Sequence, residues 1–467
     1  MAAIQKIKYY CQLFIQAVRG DITEFTTGSI DKAIFLLAIP MVLEMVLESL
    51  FAVVDIFFVN KIGINATSTV ILTEASLTIL YSVAWGLSIG ITALVARRAG
   101  EKNFTAASDI AVQAILIGSV LSLVISLVGI FFSKEILFVL GAELKVIEET
   151  YLFTQIMLVG NIVIILLFIN NAIFRGVGNA SIAMKALLIA NSINIVLDPL
   201  LILGIGPFPQ MGVVGAAVAT TIGRTVAVCY QFYHLNNGKA LIKLVSRQFV
   251  FRFKLIRQIM NTSAGGMFQF IIGSCSWIFL VKLIAESGTA AVSGYGTAIR
   301  ICIFTILPAW GMANAAATLV GQNLGANQPD RAEKSVWRTA FLTFCFFAIV
   351  AVIFFVFGEP LMRFFIQDEE AVRVGTRCLY FLSTGYVFFA YGMVVTQAFN
   401  GAGDTRTPTY INLFVFWILQ IPMAWFLTKF GQLGPTGVFI AIAVSETILA
   451  LVSIVIFRRG KWKLVKV

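Results

Sequence analysis

The chain has 467 residues, 59% of them apolar and only 12% charged, with a mean hydropathy of +0.93. So little charge cannot cover the surface of a soluble protein of this length, and no long polar segment remains to build a soluble catalytic domain. The composition points to an all-α polytopic membrane protein that is not an enzyme. The six cysteines are scattered without CxxC or Cys/His spacing, so neither a metal centre nor a disulfide framework is indicated.

In chain order, residues 1–30 form an amphipathic N-terminal segment. Within it Ile4, Ile7, Tyr10 or Cys11, and Phe14 recur at helical spacing beside Lys6, Lys8 and Arg19, the pattern of a short amphipathic helix on a membrane surface. Twelve stretches are then long and apolar enough to cross a bilayer: 33–59, 70–96, 106–132, 151–174, 182–204, 212–233, 258–282, 290–320, 338–358, 373–399, 408–428 and 436–457. They group as a six-helix lobe over 31–233, a basic linker over 234–257, a second six-helix lobe over 258–458 and a basic tail over 459–467.

The net charge of +11 is a topology signal. Of the 34 Lys and Arg residues, 24 fall on the side of the termini, eight on the other side, and Arg224 and Arg300 within spans. The positive-inside rule then places both termini in the cytoplasm of a cell (plasma or inner) membrane protein. No nucleic-acid partner is expected; the partners are the lipid bilayer and small molecules, and the protein is expected to be a monomer.

The two halves repeat at an offset of 225 residues. AWG at 84–86 recurs at 309–311, ALVARRAGEKNFTAA at 93–107 aligns with TLVGQNLGANQPDRA at 318–332, and FRGVGN at 174–179 aligns with FNGAGD at 399–404. Six spans per half is an even number, so the lobes share one orientation and are related by a pseudo-two-fold axis along the membrane normal. Two such bundles face each other across a central cavity, an architecture suited to alternating access.

Span one carries Glu44, Glu48 and Asp55. Each carboxylate at the centre of a bilayer helix costs roughly 3 kcal/mol on insertion scales. On a helix the three lie within about 40° of each other, so they form one stripe that must face the bundle or a watered cavity. Span five has a second stripe, Asn191, Asn194 and Asp198, followed by Pro199; span six adds Thr220 and Arg224. Asp55, Asp198 and Thr220 share a depth near the outer end of their spans, where two carboxylates, an amide and a hydroxyl suit a proton or Na⁺. Glu44 and Glu48 lie deeper, level with Arg224 and Arg300, and are expected to be cavity or gating groups neutralised by one of those arginines. Glu446 in span twelve, roughly the repeat counterpart of Arg224, receives no role from the sequence. Phe168, Phe174, Met267 and Trp277 are candidates to line a promiscuous cavity.

These features together resemble the multidrug and toxic compound extrusion (MATE) family. The resemblance covers nearly everything after residue 24 and rests on LAIPM at 37–41 with Asp55 fifteen residues after Pro40, NIVLDP at 194–199, GVVGAAVATTIGR at 212–224, LVGQNLGA at 319–326 and NGAGDTRTP at 400–408. It implies export of cationic, amphipathic drugs and metabolites in exchange for H⁺ or Na⁺, with no cofactor. In the archaeal and DinF-like members an aspartate in span one works with an Asn-x-x-x-Asp pair in span five and a threonine in span six, which match Asp55, Asn194, Asp198 and Thr220. The resemblance is closer to that group than to the NorM-like members, which add an acidic residue in span seven. Here span seven has no carboxylate, and Gln269 is its most polar side chain. The alternative function is a flippase for lipid-linked oligosaccharides of the same superfamily, which would need a cationic cavity. Without a P-loop, ATP-driven transport is disfavoured.

Overall fold

A computed structural model describes residues 2–21, 24–59, 62, 64–237 and 241–466, and all their side chains except those of 2–4, 6–7, 51–57, 64–65, 67 and 246. Its helices are α1 (Ala2–Arg19), α2 (Ile30–Val59), α3 (Ile64–Gly100), α4 (Phe104–Val139), α5 (Leu144–Val159), α6 (Asn161–Val177), α7 (Ala180–Leu203) and α8 (Val213–Asn237). After the linker come α9 (Phe253–Ala285), α10 (Thr289–Gly325), α11 (Pro329–Phe365), α12 (Glu369–Ala402), α13 (Arg406–Asn412), α14 (Ile421–Lys429) and α15 (Pro435–Arg458). Among the described residues twelve spans are long and apolar enough to cross a membrane, as expected, and most overrun the apolar stretches by a turn or more. Span four is two helices, α5 and α6, meeting at Gly160. Span eleven is α13 and α14 joined by a π-helical stretch, Leu413–Gln420.

Two apolar cores hold the halves, one drawn from residues 77–259 and the other from 280–462. The repeat is visible in the backbone. Gly178 and Gly403 both close a helix at φ 88°, and Lys102 and Asn327 turn at φ 57° and 56°. At the FRGVGN and FNGAGD segments the same two hydrogen bonds recur: Gly178 N to Arg175 O and Asn179 N to Phe174 O, then Gly403 N to Asn400 O and Asp404 N to Phe399 O. A left-handed residue is needed there to cap the helix, which only glycine adopts freely.

The lobes meet through α2 against α10, its pseudo-symmetric equivalent α9 against α3, and α3 against α10. Small residues let these backbones touch. A Cβ on Gly100 would overlap the Gln322 carbonyl, and one on Gly325 the Arg97 carbonyl. Likewise Gly86 abuts Met267, and a Cβ on Gly311 would lie 2.7 Å from Val42 Cα. Each pair maps onto the other by the 225-residue offset. The Gly100/Gly325 contact lies at the end that carries both termini. There Arg331 donates to the carbonyls of Phe25, Thr27 and Gly28, Arg97 donates to Val465 O at 2.7 Å, and Lys463 pairs with Glu333 at 2.6 Å. The basic tail is therefore docked, with Trp462 buried and stacked on Phe457 at 4.6 Å. At the opposite end the facing walls stay apart: Glu74 and Thr78 on α3, and Ser293 and Arg300 on α10, are exposed. The lobes are thus closed at the terminal end and open at the other.

The linker is anchored rather than a loose tether. Gln113 of α4 donates to Val250 O at 2.8 Å and accepts from Arg252 N at 2.9 Å, and Arg252 pairs with Asp109 at 2.6 Å. The amphipathic helix α1 buries Leu13 and Ala17 on α2 and leaves Tyr10, Cys11 and Phe14 of the expected membrane-surface stripe exposed on the protein. Ile4 and Ile7 of the expected stripe lie outside the described side chains.

Closure at the terminal end is directly testable. Gly325→Val puts a branched side chain into the Arg97 backbone and should hold the two lobes apart there. Spin labels at Lys102 and Asn327 are expected to separate by several ångströms in the variant; an unchanged distance would refute the contact.

Candidate functional site

Glu44 is 1% exposed, midway along α2. Its Oε1 accepts from Arg175 Nη1 at 3.2 Å and Asn171 Nδ2 at 3.0 Å, both one turn apart on α6. Arg175 Nη2 donates to Ser88 of α3 at 2.7 Å, and Asn171 Oδ1 accepts from Gln231 of α8 at 2.5 Å. The charge on Glu44 is thus neutralised by Arg175, not by the expected Arg224 or Arg300. Arg175 was expected in the loop after span four, but α6 runs on to Val177 and buries it. The signal that could have found it is its i, i+4 spacing from Asn171.

The second lobe carries the same arrangement without charge. Gln269 stands 225 residues after Glu44, and Asn400 the same distance after Arg175. Gln269 Nε2 donates to Asn400 Oδ1 at 3.0 Å, and Asn400 Nδ2 returns a bond to Gln269 Oε1 at 3.2 Å. An ion pair in one half is an amide pair in the other, and Arg175 and Asn400 line one small cavity of about 20 Å³ at the cleft floor. Gln269 therefore packs α9 against α12 and also lines a cavity of about 410 Å³ in the second lobe.

Glu48 is half-buried one turn further out, and the charge of Arg224 reaches it. Arg224 also donates to Tyr81 Oη at 3.4 Å. The charges of both Arg224 and Arg300 reach Glu74, an exposed carboxylate of α3 passed over in the sequence. Arg300 belongs to the second lobe, so this interaction crosses the open cleft.

The second polar stripe comes together as its spacing suggests. Asn194 Nδ2 donates to Asp198 Oδ1 at 3.0 Å and to Thr220 Oγ1 at 3.3 Å, joining α7 to α8. All three side chains are buried, Asp198 completely. Asn191 ties the stripe to α2 by donating to Leu47 O at 2.7 Å. Among the described residues the side-chain oxygens of Asn191 and Asn194 are buried without hydrogen-bond partners. Oxygens left this way next to a carboxylate and a hydroxyl are the donor set that a hard cation takes. The side chain of Asp55 lies outside the described residues.

Aromatic rings cross the cleft above its floor. Trp85 contacts Phe168 at 5.2 Å in the first lobe, and Phe270 at 5.7 Å and Trp310 at 6.1 Å in the second. Trp85 and Trp310 are the two AWG tryptophans. Of the other lining candidates, Trp277 borders a cavity of about 410 Å³ in the second lobe. Phe174 does not line a cavity: it is fully buried in the first-lobe core. Met267 is taken up by the packing against Gly86.

The MatE family model matches residues 40–200 and, a second time, 266–426, one copy in each lobe. The chain belongs to the MatE family. It is 27% identical over 450 residues to "Probable multidrug resistance protein NorM" of Thermotoga maritima, covering 93% of each chain. It is 23% identical to "Probable multidrug resistance protein YoeA" of Bacillus subtilis (strain 168), covering 88% of this chain and 90% of that one. Among solved structures, an outward-facing multidrug resistance MATE family transporter superposes with a TM-score of 0.88 at 24% identity, covering 95% of this chain and 99% of that one. As a MatE protein, the chain is a membrane-embedded, multi-pass transport protein with the two-lobe fold. The MatE repeat explains why the floor of the cleft is built twice, and the Glu44–Arg175 and Asn194–Asp198–Thr220 groups are where its first lobe departs from its second.

Proposed function

We propose that the protein is a secondary active antiporter that exports cationic or amphipathic small molecules in exchange for H⁺ or Na⁺. The observation that carries this reading is the buried Asn194–Asp198–Thr220 cluster, a cation-type donor set inside one lobe beside an open cleft. The coupling ion would sit there with Asp55, and drug-sized cations would occupy the cleft between the lobes. The multidrug resistance proteins among the relatives support the substrate class, and the absence of a carboxylate in α9 supports placement with the DinF-like and archaeal group.

The excess of Lys and Arg on the terminal side supports cytoplasmic termini in the cell membrane, which makes the open end outward-facing. In the cycle, H⁺ or Na⁺ enters from outside and binds Asp198. This changes the charge on α7 and α2, and the substrate is released outward. The inward-facing protein, a monomer, then loses the ion and takes up substrate. Coupling arises because ion and substrate favour different states.

The test is ethidium efflux from proteoliposomes under an imposed ΔpH or ΔNa⁺. One of the two gradients is expected to drive export and the other not. Export that survives collapse of both would reject antiport and favour the flippase alternative.

A further inference from the structure

The second lobe holds a carboxylate that nothing above uses. Glu446 lies in the middle of α15, and its exact repeat position in the first lobe is Thr221, so the fold common to both halves does not require an acid there. It borders two adjoining cavities, of about 410 and 170 Å³, that share Gly273, Trp277 and Phe416. Among the described residues Glu446 Oε2 is buried with no hydrogen-bond partner, and no basic side chain acts on it. A carboxylate left unpaired in such a place is costly unless something of opposite charge comes to it.

The rest of the larger cavity is suited to that visitor. Phe270, Trp277, Trp310 and Phe416 supply aromatic faces, Met393 adds a polarisable thioether, and Glu446 is the only charged residue in the lining. Aromatic faces around one carboxylate attract cations whose charge is spread over apolar groups. The size falls within the roughly 300–1,000 Å³ of small-molecule sites. Access is through the cleft, because Ile89 of the first lobe also lines the cavity and Trp85 stacks on Phe270. The wall at Phe416 belongs to the π-helical stretch Leu413–Gln420, held to α9 by Ser276, which donates to Gln420 Oε1 at 3.1 Å. Such stretches recur where a helix is reshaped around a ligand.

We propose that this second-lobe cavity binds lipophilic organic cations, with the Glu446 carboxylate opposing their charge and Trp277 and Phe416 stacking on them. The proposal rests on the transport reading above and assigns the substrate charge to a group in the lobe opposite the coupling cluster. Substrate and ion would then communicate through the packing of the lobes instead of competing for one carboxylate.

The experiment is equilibrium binding of tritiated tetraphenylphosphonium to the full-length protein in nanodiscs, alongside gradient-driven export of the same cation. Glu446→Gln should weaken binding by roughly tenfold or more, the loss expected when a charged partner becomes neutral. Glu446→Asp should retain most of the affinity, and Trp277→Ala should weaken it without touching the charge. Wild-type affinity in Glu446→Gln, with wild-type export intact, overturns this proposal alone. So does unchanged binding with lost ion dependence, which would make Glu446 a coupling group. A wild-type protein that neither binds nor exports the cation overturns the transport reading and this site with it.

Discussion

Asp198→Asn is expected to reduce gradient-driven efflux to the level of empty proteoliposomes. The substitution preserves shape, so the contact with Asn194 and the packing of α7 on α8 can persist. What it removes is the charge and the ability to take up and release a proton. Asp198 is fully buried, where one unit charge acts on another at 4 Å with about 4 kcal/mol even at an effective dielectric of 20. A loss of that size is close to a thousandfold in ion affinity. Thr220→Val removes only a neutral hydroxyl ligand and should cost on the order of tenfold. Downhill binding of the organic cation to Asp198→Asn shows that the variant is folded. Wild-type coupled efflux in Asp198→Asn would remove this cluster from the transport cycle.

How much of this was legible in the sequence depended on whether the signal was periodic. The 225-residue offset ran through three separated segments, and the backbone obeys it down to the turns at Gly178 and Gly403. Asn194, Asp198 and Thr220 could be grouped because a one-turn spacing fixes a common helix face and a span end fixes depth. Arg175 could not be placed the same way. In the sequence span four closes at the charged residue that opens the glycine-rich RGVGN turn, whichever way its side chain points, and the partner that draws Arg175 inward lies 131 residues earlier. Glu74 escaped for a related reason: its significance comes from Arg300, on the far wall of the cleft. Phe174 shows the converse limit, since an aromatic side chain on an apolar helix reads the same whether it faces the core or a cavity.

Arg175→Met is expected to destabilise the protein by about 3–5 kcal/mol, the usual consequence of stripping one partner from a buried ion pair. Glu44 would be left without its charge partner among α2, α3 and α6, with Asn171 as its remaining hydrogen bond. The second lobe predicts the remedy. At the equivalent positions Gln269 and Asn400 pair as neutral amides and close the same helix contact. Glu44→Gln combined with Arg175→Asn rebuilds that pair in the first lobe and should recover most of the lost stability. Thermal unfolding of the two single variants and the double variant measures the coupling, and strict additivity would show that the contact carries no pairwise energy. Transport separates structure from gating. If the charge serves only to join α2 to α6, the amide pair restores export along with stability. If α2 must part from α6 during the cycle, a neutral pair there changes the balance between the two facing states, and export stays slow in a protein that is as stable as the wild type.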